Sequence, residues 1–205
     1  TESEVLAEIY AAALVKAGIP AKTATRIGSR EVYLQALKDG SIAVVPEYTG
    51  NLLQYVAQDN PATTPDEIVK ALPDAVGPDL AVLDASQAAD QDCYVVTKAL
   101  SDEKGIKSLT DLKKISATST LGGPSELKDR PYGPPGLEQI YGATFKAFKA
   151  YDALAVKVKD LNDDKIQVAS FFSTDAALID NPYVVLTDPE QMILPQQVIP
   201  LVRAD

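Results

Sequence analysis

Leu6, Ile9, Tyr10, Ala13 and Leu14 fall on one side of a helix of 3.6 residues per turn, which predicts a helix over residues 1–16. Thr1 and Glu4 have capping-box spacing at its start, and Gly18 and Pro20 mark its end. Residues 22–27 read as a short strand. Gly28 and Ser29 open a second helix, with Val32, Leu34, Ala36 and Leu37 at its apolar positions and Gly40 closing it. Residues 42–45 form an unbroken apolar run, the pattern of a buried parallel strand, and Pro46 ends it. A helix is expected from near Glu47, with Leu52, Leu53, Tyr55 and Val56 as its apolar residues. Residues 61–65 read as a loop in which Thr64 caps a helix over Ile68, Val69, Ala71 and Leu72, and residues 80–83 as a strand.

The second half continues the alternation. Residues 84–92 are polar and alanine-rich and read as a crossover, followed by a strand over 94–97. A short helix is expected over 108–114 with Leu109 and Leu112 inward. Strands are expected over 116–120, 154–158, 165–170 and 183–186, and a helix over 137–141. The segment RPYGPPG, residues 130–136, reads as a rigid turn-rich loop, and residues 194–202 lead back to the first half. Strands alternating with helices predict an α/β fold with mostly parallel sheets. Residues 1–92 with 197–205 are assigned to a first lobe, incomplete at both termini, and residues 93–196 to a second. A helix that opens the chain without a leading strand points to truncation there.

Composition narrows the chemistry. The 205 residues include 46% hydrophobic and 23% charged positions, ordinary for a globular protein able to bury a core. A net charge of −10 without a basic stripe argues against nucleic acid. Cys93 is the one cysteine and histidine is absent, which removes an internal disulfide, a cysteine zinc site and the Ser-His and Cys-His nucleophile pairs. No apolar run is long enough to span a membrane.

A few positions carry candidate chemistry. In VPEYTGNLL, Tyr48 and the small polar residues Thr49 and Asn51 sit where a strand meets a helix, the place where α/β sheets bind small ligands. A tyrosine face suits a soft cation, although the same residue fits a boundary tyrosine covering a loop. Asp92 and Tyr94, in QDCYVV, lie at the crossover, as a ligand wall or as a strand start whose tyrosine is core. Cys93 reads as a small buried filler. In FFSTDAAL, Phe171 and Phe172 should face opposite ways, one to core and one to a cleft, with Ser173, Thr174 or Asp175 capping the next helix. Arg130 has the donor fork for a carboxylate, or pairs on the surface with Asp129 or Glu126. Gly122, Gly123 and Pro124 match no phosphate loop. The acidic cluster Asp160, Asp163 and Asp164 lacks calcium-loop spacing and reads as a solvated helix start.

Taken in order, VPEYTG, QDCYVV, RPYGPPGLEQIYG and STDA with a proline-containing return, and TESEVLAEIY at the opening, resemble the substrate-binding proteins of quaternary-amine ABC transporters, which bind glycine betaine, choline or carnitine. The resemblance implies a periplasmic binding protein fold of type II, two α/β lobes joined by a hinge with a ligand cleft between them. It implies no enzymatic activity and no cofactor. The partners it implies are a small osmolyte and a membrane ABC permease, for a monomer outside the cytoplasm, with or without a lipid anchor. Tyr48 and Tyr94 match tyrosines of the family's aromatic cage, Arg130 matches an arginine that holds the betaine carboxylate, and Asn51 and Asp92 match pocket positions. Phe172 and Gln196 stand where the family carries further tyrosines. Phe172 keeps a ring face, whereas Gln196 removes one and would suit a more polar ligand. The rival readings are an effector-binding sensor domain of the same fold and an enzyme with Asp92 or Asp175 as base.

Overall fold

The computed structural model of the chain describes residues 2–204. Its elements are α1 (Glu2–Lys16), α2 (Arg30–Lys38), β1 (Val44–Tyr48), α3 (Thr49–Val56), α4 (Pro65–Ala75), β2 (Leu80–Val82), β3 (Asp92–Thr97), α5 (Lys98–Lys104), β4 (Thr120–Gly123), α6 (Pro134–Tyr141), β5 (Ala147–Ala150), α7 (Leu154–Asn162), β6 (Val168–Phe172), α8 (Ala177–Asp180), β7 (Tyr183–Val185) and β8 (Val198–Arg203). Short 3-10 turns cover Leu109–Lys114, Ser116–Thr118 and Ser125–Asp129. The chain divides into two compact units. Residues up to Ala89, with those from Pro195 onward, make the first, and Asp90–Leu194 the second.

In the first unit the sheet order is β1-β8-β2, and β8 runs antiparallel to both neighbours. The expectation of a parallel sheet fails here because the partner of β1 comes from the far end of the chain. The burial expected of the apolar run 42–45 fails as well: Ala43 is exposed, Ile42, Val44 and Val45 are only partly covered, and the buried residues of β1 are Pro46 and Glu47. Pro46 does not end the strand. It lies inside β1 opposite Pro200 of β8, a pair that exchanges no ladder bond across β1 and β8, since the bond from Thr49 N–H to Gln197 O places the hydrogen-bonded pairs at alternate residues; Pro200 turns its carbonyl to the other side, where it accepts from Leu83 N–H at 3.0 Å. Residues 22–27 form no strand, and Arg26 there takes a left-handed φ of 58°, incompatible with extended backbone. Leu52 and Leu53 of α3 and Ile68 and Leu72 of α4 are fully buried. In α1 no residue is fully buried: Leu6, Tyr10 and Leu14 are half-covered, while Ile9 and Ala13, expected on the same face, are exposed. The capping box expected of Thr1 and Glu4 involves Thr1, outside the described residues.

Thr64 does cap α4, in a capping box where Glu67 N–H reaches Thr64 Oγ1 and Glu67 Oε2 accepts from Thr64 N–H at 3.1 Å. Thr64→Ala is expected to cost about 1 kcal/mol in the free energy of urea unfolding; an unchanged midpoint would refute the cap's contribution.

The second unit holds a five-stranded sheet of order β5-β4-β6-β3-β7. β4 is parallel to β5 and β6, and β3 is antiparallel to β6 and β7, so the sheet is mixed. One face carries Tyr94, Val96, Leu121 and Val168 against Leu109, Leu112, Leu127 and Leu137. The other carries Cys93, Val95, Ala169 and Phe171 against Leu161 and Ile166. Residues 154–158 are helical, not a strand. Lys157, Asp160 and Leu161, the buried face of α7, recur at helical spacing, and a short apolar run alone does not separate the two. Residues 116–118 form a 3-10 turn and the strand begins at Thr120. Asp160 is no solvated helix start. It is buried near the end of α7 and accepts from Lys149 Nζ (2.6 Å), Tyr151 Oη (2.7 Å) and Lys165 Nζ (3.1 Å). Those donors, Lys149 foremost, hold its carboxyl well below the ordinary carboxylate range.

Candidate functional site

In the first unit, the junction of β1 and α3 places Tyr48 half-buried at the end of its strand. Its backbone N–H donates to Glu47 Oε2 at 3.0 Å, and its hydroxyl donates to Glu2 Oε1 at 2.5 Å. Glu47 is 1% exposed. Arg30 grips it with two bonds, Nε to Oε1 at 2.7 Å and Nη2 to Oε2 at 2.9 Å, and Tyr33 adds a hydroxyl bond of 2.7 Å. Burial first, then the Glu47 charge, push the Tyr33 phenol far above its ordinary value. The Arg30 guanidinium also lies 5.9 Å from the centre of the Tyr55 ring. Sequence reasoning missed Arg30 and Glu47, because nothing local links residues 17 positions apart.

The other two candidates of this unit meet each other. Gln196 is 2% exposed; its Oε1 accepts from Asn51 N–H at 3.0 Å, and its Nε2 donates to Asn51 Oδ1 at 2.8 Å. Tyr48 lends α3 no side-chain cap, so an amide 145 residues away satisfies an N–H of the first turn. Thr49 is held to the same return segment through Gln197 N–H (3.0 Å) and Pro195 O (3.3 Å).

In the second unit, Asp92 lies opposite Phe172 across β3 and β6, so both side chains leave the same face of the sheet. Phe171 is buried in the core on the other face while Phe172 is 43% exposed, the split expected from the alternation. The STD residues do not cap α8, which has no side-chain cap. Ser173 Oγ (3.2 Å), Thr174 N–H (3.2 Å) and Thr174 Oγ1 (2.9 Å) instead donate to Asp90, a buried carboxylate that the sequence reading passed over. Asp175 accepts from Phe172 N–H at 3.0 Å. Together these bonds fix the end of β6 against the start of β3.

Tyr94 is 1% exposed, with its ring in the core and its hydroxyl donating to Tyr132 O at 2.7 Å. Burial, then the charge of Asp92, raise its phenol well above the ordinary value. That bond ties the loop carrying Arg130 to the sheet. Arg130 precedes Pro131 and is extended, with ψ of 147°, and is itself buried. The loop depends on its glycines: a Cβ on Gly133 would stand 1.9 Å from Leu127 O, and one on Gly136 1.9 Å from Pro131 O. Burial, chiefly, pushes the Cys93 thiol up to about 12, which leaves it inert. Among the described residues no group of three or more His, Cys, Asp or Glu side chains is placed to hold a metal ion, and no helix is long and apolar enough to cross a membrane.

Comparison with known proteins gives a consistent family. Residues 1–205 match the family described as the substrate binding domain of ABC-type glycine betaine transport systems. The glycine betaine-binding protein YehZ of Escherichia coli K12 is 24% identical over 204 residues, covering 93% of this chain and 67% of the relative. A crystal structure of a glycine betaine/carnitine/choline ABC transporter protein superposes with a TM-score of 0.60 at 24% identity, covering 85% of this chain and 65% of that one. Lactococcal OpuAC, in its closed form with glycine betaine, superposes with a TM-score of 0.66 at 16% identity, covering 98% and 73%. The chain thus spans about two thirds of the length of the first two relatives. The fold is that of the type II periplasmic binding proteins.

Proposed function

This chain belongs to the family of substrate-binding domains of ABC-type glycine betaine transport systems, and from that premise we propose that it binds a small quaternary-amine osmolyte of the glycine betaine or choline class. It is a transport protein, not an enzyme; members of its family work outside the cytoplasm and deliver small ligands to a membrane ABC permease. In this proposal the trimethylammonium group rests on the rings of Tyr48 and Phe172, with Asp92 supplying negative charge beside Phe172. The units close on the ligand, as a hinge between two lobes allows. Arg130 takes a carboxylate when the ligand has one. Tyr94 holds the Arg130 loop through Tyr132, and the Asn51–Gln196 pair shapes the start of α3 behind Tyr48.

The observation that carries this reading is the register of Asp92 with Phe172, which presents a half-exposed aromatic ring and a carboxylate on one face. A π face flanked by an anion attracts a soft cation. The two bonds between Gln196 and Asn51 weigh against Gln196 as the anchor of a more polar ligand.

Calorimetric titration with glycine betaine and with choline tests the proposal. Both should bind. Arg130→Ala should weaken betaine by about tenfold to a hundredfold, the worth of a charge-assisted hydrogen bond, and leave choline nearly unchanged. Absence of heat with either amine, alongside a folded protein, would sink it.

A further inference from the structure

Phe172 is the last residue of β6 and its side chain is half-exposed, so packing covers only part of the ring. Its direction depends on the backbone to either side. Two residues before it, the buried Lys157 of α7 donates from Nζ to Ser170 O at 2.6 Å. After it, the chain leaves the ladder with β3 and is taken up by the residues that lead into that strand. Ser173 N–H donates to Gln91 O at 2.8 Å, and Gln91 N–H donates to Ser173 Oγ at 2.9 Å. Asp90 Oδ1 accepts from Ser173 Oγ and Thr174 N–H, each at 3.2 Å, and from Thr174 Oγ1 at 2.9 Å. Asp90 is buried, whereas Ser173 and Thr174 are exposed. A carboxylate taken out of water needs hydrogen-bond donors around it. Here the two residues that follow Phe172 supply them, so solvating the Asp90 charge also fixes the turn at the base of the ring.

We propose that Asp90 is a positioning residue for ligand binding: it holds the turn after Phe172 and so keeps the ring, and Asp92 opposite it, in the arrangement that receives the ammonium group. This rests on the quaternary-amine reading above and adds to it a residue that acts through Phe172. Hydrogen bonds to an ionised carboxylate are about twice as strong as neutral ones, which suits a turn that carries an exposed ring. Ordering such a side chain in advance removes a cost otherwise met on binding, worth about threefold to tenfold in affinity.

A double-mutant cycle on choline affinity tests it. Asp90→Ala in the natural sequence should weaken choline by about threefold to tenfold. Made on top of Phe172→Ala, the same change should weaken choline by less than about twofold, because the ring that Asp90 positions is gone. Asp90→Asn keeps an oxygen acceptor for the donors of Ser173 and Thr174 and should recover most of the affinity lost in Asp90→Ala. A purely structural role would lower affinity by the same factor in both backgrounds. That equal loss, or an unchanged affinity in Asp90→Ala, would overturn the inference while leaving the functional proposal standing. If Asp90→Ala does not fold, Thr174→Val takes its place in the cycle. It removes the 2.9 Å bond, keeps the shape of the side chain, and should weaken choline by about twofold to threefold only where Phe172 is present. If the natural sequence binds neither choline nor betaine, the inference and the functional proposal fall together.

Discussion

Glu47→Leu should lower the free energy of unfolding by about 3–5 kcal/mol, the cost of removing one partner of a buried ion pair. The argument rests on what the substitution leaves behind. The Arg30 guanidinium has a side chain only 9% exposed and loses both of its bonds to Glu47. The Tyr33 hydroxyl and the Tyr48 N–H lose their acceptor in the same step. The Tyr55 ring, 5.9 Å from the guanidinium, returns only part of that loss. The double variant Arg30→Leu with Glu47→Leu removes both charges and should recover much of the stability, since well-packed apolar residues often replace a buried pair at little cost. Urea unfolding of both variants decides the matter. A double variant no more stable than Glu47→Leu alone would show that the hydrogen bonds to Tyr33 and Tyr48, rather than the stranded charge, carry the effect.

Phe172→Ala should act in the opposite way, with a large loss of affinity and a small change in stability. A desolvated cation–π contact contributes about 2 kcal/mol, so removing the ring should weaken choline roughly thirtyfold. Phe172 is already 43% exposed and the core of its unit is filled by Phe171 instead, so unfolding should shift by no more than about 0.5 kcal/mol. Phe172→Tyr keeps the π face and should bind at least as well as the natural sequence. Titration of the two variants with choline separates the ring from the position. A loss below about threefold in Phe172→Ala would remove Phe172 from the proposed wall.

These predictions draw on different depths of the sequence. The alternation of Phe171 and Phe172 was legible in FFSTDAAL, because neighbouring side chains in a strand must leave opposite faces. The buried Leu109 and Leu112 and the Thr64 cap were legible for the same kind of reason: period and capping act within one turn. The order of motifs was enough to identify the family, and with it the type II fold.

Other features were decided only when distant segments met. The direction of β8 between β1 and β2 set the first sheet antiparallel, and no residue of β1 encodes that choice alone. Residues 154–158 became helix because Lys157, Asp160 and Leu161 found partners at helical spacing, overriding an ambiguous apolar run. Gln196 met Asn51 across 145 residues, Asp90 collected the donors of Ser173 and Thr174 across 83 and 84, and Glu2 reached Tyr48 across 46. Hydrophobic period, caps and motif order are local or sequential properties, so the chain by itself determined most of the element types, much of the core and the family. The partner of each buried polar group depends on which segments come to lie side by side, and only the tertiary structure decided it.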